Sequence, residues 1–130
     1  MKEFKITTKE WHQALLMTAT SVLSYSGMIS KVITELRIEL DTQENDALDK
    51  ATNDMMNAIR ELKEVGKVTP MSDMAYRILA LLLDNLETYK AIQENNLNTC
   101  DCEKCAKVDS AYKLAKKRIT VLASTTVTDL

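Results

Sequence analysis

Turn-forming residues are almost missing from this sequence. Gly27 and Gly66 are its two glycines and Pro70 is its one proline, in a chain of 130 residues. A many-stranded sheet needs frequent tight turns, so this scarcity favours long helices joined by a few loops. The content of 45% hydrophobic and 28% charged residues is ordinary for a globular fold. The sequence therefore predicts an all-α protein: a single domain built as an antiparallel bundle of about four helices.

Apolar residues recur at three- and four-residue spacing in four stretches, which is the spacing of one helix face. The predicted helices span residues 8–40, 43–65, 70–94 and 101–123, and a frayed tail follows at residues 124–130. The connection after the second helix is short, which predicts that helices two and three are antiparallel neighbours.

Local signals support these boundaries. Thr7 followed by Glu10 has the spacing of a capping box, and Asp41 begins a second capping signal. Gly66 suits the left-handed position that ends a helix, and Pro70 suits the first turn of the next one.

The first predicted helix carries a second line of residues opposite its core-facing side. Large and small residues alternate along this line, which allows another backbone to approach closely. A glycine inside a helix costs about 1 kcal/mol relative to alanine, so its presence needs another reason. We predict a protein–protein interface here, in the simplest case a twofold homodimer. Alternatively, this helix is central and packs on two sides within its own domain. The predicted interface residues are Leu16, Thr20, Leu23, Gly27, Thr34 and Ile38.

The three cysteines of the chain lie within six residues, at the predicted start of the fourth helix. Cys100, Cys102 and Cys105 place three sulfurs near one helix N-terminus, where the helix dipole favours thiolates. Three converging thiolates are candidate ligands of a structural Zn²⁺, whose fourth ligand the motif does not supply. The alternatives are a redox-sensing cluster, and a core-edge cysteine beside two idle thiols.

Charge and hydropathy restrict the partners and the compartment. The net charge of −2 argues against a protein that holds nucleic acid by its phosphates. Lys113, Lys116, Lys117 and Arg118 form a basic surface that suits nucleic acid or an acidic partner, although aromatic residues do not interleave them. The favoured alternative is a solvated polar face with cations near the helix C-terminus. The longest strongly apolar run, residues 78–83, is too short to cross a membrane. No uninterrupted apolar segment follows the N-terminus, so we expect a cytoplasmic protein.

Catalytic motifs are scarce. A single histidine, without a glycine-framed serine, disfavours a triad hydrolase. Glu61-x-x-Glu64 and Asp84-x-x-Glu87 superficially resemble the paired acidic motifs of the all-α nucleotide pyrophosphohydrolases, which use Mg²⁺. By helix geometry, however, Glu61 and Asp84 should lie at different heights along an antiparallel helix pair.

These observations favour a small non-enzymatic interaction or regulatory protein that binds another protein and forms a homo-oligomer. Its size and acidity are typical of a phage or mobile-element accessory protein, such as an inhibitor of a host protein. The first alternative is a zinc-binding or redox-sensing helical protein that uses Cys100, Cys102 and Cys105. The second alternative is an all-α Mg²⁺-dependent nucleotide hydrolase.

Overall fold

The computed structural model describes residues 5–97 and 103–129, and this part of the chain folds as an all-α four-helix bundle. Two two-residue strands flank the helices. In chain order the elements are β1 (Lys5–Ile6), α1 (Thr8–Glu35), α2 (Thr42–Val65), α3 (Asp73–Leu97), α4 (Glu103–Ser124) and β2 (Thr126–Val127).

Capping residues begin α1 and α2 as the sequence predicts. The Thr7 hydroxyl accepts a hydrogen bond from the Glu10 amide, and the Glu10 carboxylate accepts one from the Thr7 amide. The Asp41 side chain caps α2 by accepting from the Glu44 amide. Gly66 ends α2 with φ +71°, which only glycine adopts without strain.

The predicted end of the first helix, at residue 40, is wrong. The helix stops at Glu35, because Arg37 takes a left-handed conformation with φ +56°. The amide of Ile38 then donates to the carbonyl of Ile33, and the amide of Arg37 donates to that of Thr34. These two bonds form a Schellman motif without a glycine, so the sequence carries no signal for it.

The predicted range 70–94 for the third helix is also shifted. The helix begins at Asp73, because Met71 has φ +67° and the Ser72 hydroxyl caps the first turn by accepting from Ala75. It continues to Leu97 through two asparagines, one of which, Asn96, donates to carboxylate and carbonyl oxygens. The predicted start of the fourth helix, at residue 101, lies outside the described residues.

The predicted frayed tail is ordered over its described residues. β2 pairs in parallel with β1, and the Thr128 amide donates to the Ile6 carbonyl. The Asp129 carboxylate accepts hydrogen bonds from the amide and the hydroxyl of Thr8, both at 2.7 Å. A carboxylate at the first turn of a helix is favoured by the helix dipole. The tail therefore fastens the C-terminal end of α4 to the N-terminal end of α1.

The four helices enclose one apolar core, and α1 contacts each of the other three. α4 runs antiparallel to α1, since the Trp11 indole donates to the Leu122 carbonyl while Glu35 pairs with Lys104. α2 and α3 are antiparallel neighbours, as predicted, since Glu61 pairs with Arg77. Four large apolar residues within the four recurring apolar stretches are nevertheless exposed: Leu36, Val65, Met71 and Leu83.

Candidate protein-binding surface

The outward side of the seam between α1 and α4 is concave. Two adjoining hollows of about 430 and 520 Å³ lie along it, and both are lined by Met17, Leu114 and Arg118. We call these two hollows together the α1/α4 groove. Along α1 the groove extends from Ala14 to Met28, a distance of about 21 Å at the rise of an α-helix.

Large apolar side chains on this surface face solvent. Met17 is 60% exposed, Leu114 is 48% exposed and Val121 is 41% exposed. All three line the first hollow, together with the half-buried Ile6 and Ala14. Single exposed apolar residues are normal on a protein surface, but several in one concave site are typical of a binding surface.

The charged residues around the groove share one sign. Among the described residues that line its two hollows, the charged ones are Lys63, Lys117 and Arg118. The Arg118 guanidinium donates to the Ser21 hydroxyl across the seam, which holds the cation between the two hollows that it lines. Lys117 and Arg118 belong to the basic surface found in the sequence, and the fold brings their charges beside apolar side chains.

A third hollow continues the seam towards the other end of α4. It is lined by Met28, Val32 and Val108, and three lysines surround it: Lys31, Lys104 and Lys107. Its one lining carboxylate, Glu35, is ion-paired with Lys104, which lowers the pKa of Glu35 below its ordinary value. Lys107 also pairs with Glu103, so two of the three lysines at this hollow already have carboxylate partners.

The predicted interface residues do not form one surface. Leu16 and Thr20 line the α1/α4 groove. Thr34 and Ile38 line a separate hollow near the start of α2, since the helix ends before Ile38. The remaining two residues line neither hollow: Leu23 is half buried against the core and Gly27 is exposed. Leu16 and Leu23 are half buried because α1 contacts the other three helices, which fits the alternative that α1 packs on two sides within its own domain.

The cysteine cluster is described only in part. Cys100 and Cys102 lie outside the described residues, so the zinc prediction that depends on them stays untested. Cys105 is buried at the start of α4 and is disulfide-bonded. Because a sulfur in a disulfide is not a thiolate, zinc would require this bond to be reduced first. In the described parts of the chain, no group of three or more His, Cys, Asp or Glu side chains is arranged to hold a metal ion.

A polar network fills the space where α1, α3 and α4 meet. The Tyr25 hydroxyl donates to the Gln93 side-chain oxygen at 2.5 Å, and the Gln93 amide group donates to Asp109. Lys90 lies 3.7 Å from the same Asp109 carboxylate and 4.7 Å above the Tyr112 ring. Burial raises the pKa of Tyr25 well above its ordinary value, so its hydroxyl stays a neutral donor. This network had no sequence signal, because its members come from three helices.

The acidic residues of the hydrolase alternative have other partners. Glu61 accepts a hydrogen bond from Arg77, and Glu87 accepts one from the Tyr112 hydroxyl at 3.0 Å. Glu61 and Asp84 both line one hollow of about 480 Å³ between α2 and α3. They lie at different heights along it, as helix geometry predicts, because Glu61 pairs with Arg77 while Asn85, next to Asp84, donates to the Ala51 carbonyl. Glu87 is not among the residues that line it, so the two motifs do not converge.

His12, the one histidine, is buried between α1 and α2. Its burial lowers its pKa below the ordinary value of 6.5, and a hydrogen bond to the Leu62 backbone opposes this effect. Its Nδ1 atom has no hydrogen-bond partner within the described part of the chain. The ring is therefore neutral at physiological pH and acts as a packing residue.

No protein-family model, curated protein or solved structure matches this chain. None of the described helices is both long enough and apolar enough to span a membrane. The surface chemistry is therefore the basis for a functional proposal.

Proposed function

We propose that this chain is a non-enzymatic protein-binding protein, and that its partner docks in the α1/α4 groove. The observation that carries the proposal is the concave apolar floor made by Met17, Leu114 and Val121 beneath a basic rim. Fully burying an exposed apolar side chain contributes roughly 1.5–3 kcal/mol, and these three residues are 41–60% exposed, so covering them contributes about half of that at each residue.

Two methionines that line the α1/α4 groove suit a binding role. Met17 and Met28 are flexible and polarisable, so they adapt to the shape of a partner. The groove walls are two rigid helices fastened to each other by Trp11 and by the Asp129 cap. Such a preformed site loses little conformational entropy when it binds.

The chemistry of the other candidates supports binding over catalysis. Glu61 and Glu87 pair with Arg77 and Tyr112, and His12 is buried and neutral. We retain the cytoplasmic location expected from the N-terminal sequence as part of the proposal; in such a reducing compartment the Cys105 disulfide would be reduced. An accessory or inhibitory role towards a larger protein is one form that this binding can take.

Self-association through α1 is a second candidate, and Gly27 supports it. A Cβ atom added at Gly27 would meet nothing within 4 Å, so packing inside the chain does not require glycine there. A second copy that approaches this exposed stretch would explain the residue. Native mass spectrometry under reducing conditions tests this candidate, because a monomer at all accessible concentrations contradicts it. The same spectrum detects bound zinc.

Site-specific photo-crosslinking tests the proposed function. A benzoylphenylalanine at position 114 should form a discrete covalent adduct with another protein in the cells that naturally produce this chain. Leu83 on α3 provides a matched control, because it is also a leucine and is 42% exposed against 48% for Leu114. An adduct with another protein at position 114 and none at position 83 supports the proposal. An adduct of two copies supports self-association instead, and equal yields or no adduct at position 114 contradict the proposal.

A further inference from the structure

We propose that the occupant of the α1/α4 groove is an amphipathic α-helix with acidic residues along both flanks of its apolar face. This inference rests on the proposed function and adds the chemical class of the partner.

The shape of the groove suits a helix. α1 contributes Met17, Ser21 and Met28 at steps of four and seven residues, so they follow one side of α1. α4 contributes Leu114 and Val121 on the facing side. A groove between two antiparallel helices accepts a third helix whose ridge of side chains packs along it. A length of about 21 Å corresponds to roughly 14 residues of the occupant.

The charges of the rim specify the flanks. The chain carries a net charge of −2, yet the charged residues lining the groove are Lys63, Lys117 and Arg118. Lys63 lies on α2 and the other two lie on α4, so cations border the apolar floor on two sides. Glu or Asp residues on both flanks of a docked helix would face these cations. Arg118 is already oriented by Ser21 and keeps further N–H donors for a carboxylate.

Two other occupants fit these observations less well. In a symmetric dimer through this groove, the basic rims of the two copies would face each other and repel. A membrane surface prefers apolar side chains that protrude from a convex face, whereas Met17, Leu114 and Val121 line a concave one. An acidic helix satisfies the concave shape and the positive rim together.

The experiment compares three labelled 16-residue helical peptides with one apolar face and with flanks of Glu, Gln or Lys. Fluorescence anisotropy gives their affinities for the full chain, and backbone amide NMR shifts show where they bind. The Glu peptide should bind at least about tenfold more tightly than the Gln peptide, and its affinity should fall as salt is added. The Lys peptide should not bind, and the shifts should lie along α1 and α4.

Variants assign the effect to the groove. Lys117→Gln should weaken binding of the Glu peptide several-fold. The matched control is Lys50→Gln, at an exposed residue on α2, which should leave the affinity for the Glu peptide unchanged. Leu114→Ser should weaken all peptides that bind, whereas Leu83→Ser should not.

Each remaining outcome counts against the inference. If the Gln peptide binds the groove as tightly as the Glu peptide, the acidic flanks are wrong while groove binding stands. If no peptide binds, the helical occupant is wrong, and crosslinking at position 114 decides separately whether the groove binds protein. Binding to anionic lipid vesicles but to no peptide identifies a membrane surface instead. Concentration-dependent shifts in the groove without peptide identify a second copy.

Discussion

The groove between α1 and α4 and the hollow between α2 and α3 both lie on outward seams between antiparallel helices, yet different side chains line them. The first has Met17, Leu114 and Val121 on its floor and cations on its rim. Carboxylates and an arginine line the second, where Glu61 and Arg77 already pair with each other. Charged groups that are solvated or ion-paired gain little from a partner, whereas apolar groups exposed beside cations gain free energy when they are covered.

The distribution of charge along the chain explains this difference. α2 carries six acidic residues: Glu44, Asp46, Asp49, Asp54, Glu61 and Glu64. α4 carries six basic residues: Lys104, Lys107, Lys113, Lys116, Lys117 and Arg118. α2 also carries three basic residues and α4 two acidic ones, so the two neighbours of α1 differ in the sign of their net charge, although Lys63 of α2 borders the α1/α4 groove. We expect the basic side to recruit partners and the acidic side to stay solvated.

The largest expected effect comes from removing the indole that joins α1 to α4. Trp11 is 1% exposed and donates to the Leu122 carbonyl at 3.2 Å. Trp11→Ala should lower the free energy of unfolding by about 3–5 kcal/mol, because it leaves a cavity and removes the indole hydrogen bond to the Leu122 carbonyl. Urea denaturation measures this. Met71→Ala, at a residue that is 77% exposed, should change stability by less than about 0.5 kcal/mol. Equal losses in both variants would show that the α1/α4 seam is not closed by Trp11.

The next effect tests the polar network behind the groove. Tyr25→Phe removes the donor to Gln93, whose side chain is buried, and leaves an acceptor without a partner. The free energy of unfolding should fall by about 1–3 kcal/mol. Tyr76→Phe, on the exposed surface of α3, is the matched control and should be neutral. Equal stability of the two variants would show that the network contributes nothing to the fold.

The contact between α1 and α2 should be sensitive to pH. Burial lowers the pKa of His12 in the folded chain, so the unfolded chain takes up a proton first as the pH falls. Stability is therefore full above the ordinary pKa of 6.5 and decreases as the pH falls towards the lower folded value. The urea midpoint should drop between about pH 7.5 and about pH 5.5, and His12→Gln should flatten this dependence. An unchanged slope in His12→Gln would assign the effect to other groups.

Gly27 separates the two candidate uses of α1. Gly27→Ala should stabilise the monomer by about 1 kcal/mol, because alanine favours helix and the added methyl group meets no other atom. If a second copy packs against Gly27, the same change should weaken self-association measured by analytical ultracentrifugation. If Gly27→Ala stabilises the chain but leaves the mass of the assembled species unchanged, self-association through Gly27 is contradicted and the α1/α4 groove is the remaining candidate for a binding surface.

The smallest effect should come from the charged pair of the other seam. Arg77→Gln breaks an ion pair whose members are 55% and 43% exposed, so stability should change by less than about 0.5 kcal/mol. Lys117→Gln should change stability equally little, but it should weaken binding of an acidic helix. If Arg77→Gln also weakened binding of the acidic helix, the α2/α3 hollow and the α1/α4 groove would not differ in their role in binding.

The sequence by itself determined the class of fold and much of its core. The apolar period of 3.6 residues, the capping box at Thr7 and the left-handed Gly66 are local features, so local rules predict them. They predicted four helices and the antiparallel α2/α3 pair, and they located the basic surface of α4. The predicted interface on the first helix stays untested; of its six residues, Leu16 and Thr20 line the α1/α4 groove.

Tertiary structure alone decided the rest, because the remaining features join residues distant in the chain. The Asp129 carboxylate accepts a hydrogen bond from Thr8, which is 121 positions away in the chain. The local sequence of the tail therefore gives no sign that the tail is ordered. The Schellman motif at Arg37 uses a residue with no special preference for a left-handed conformation. The groove exists because Met17 and Leu114 become neighbours only when α4 folds back along α1. Spacing within a helix defines its faces, but only the packing of the bundle decides which face stays uncovered.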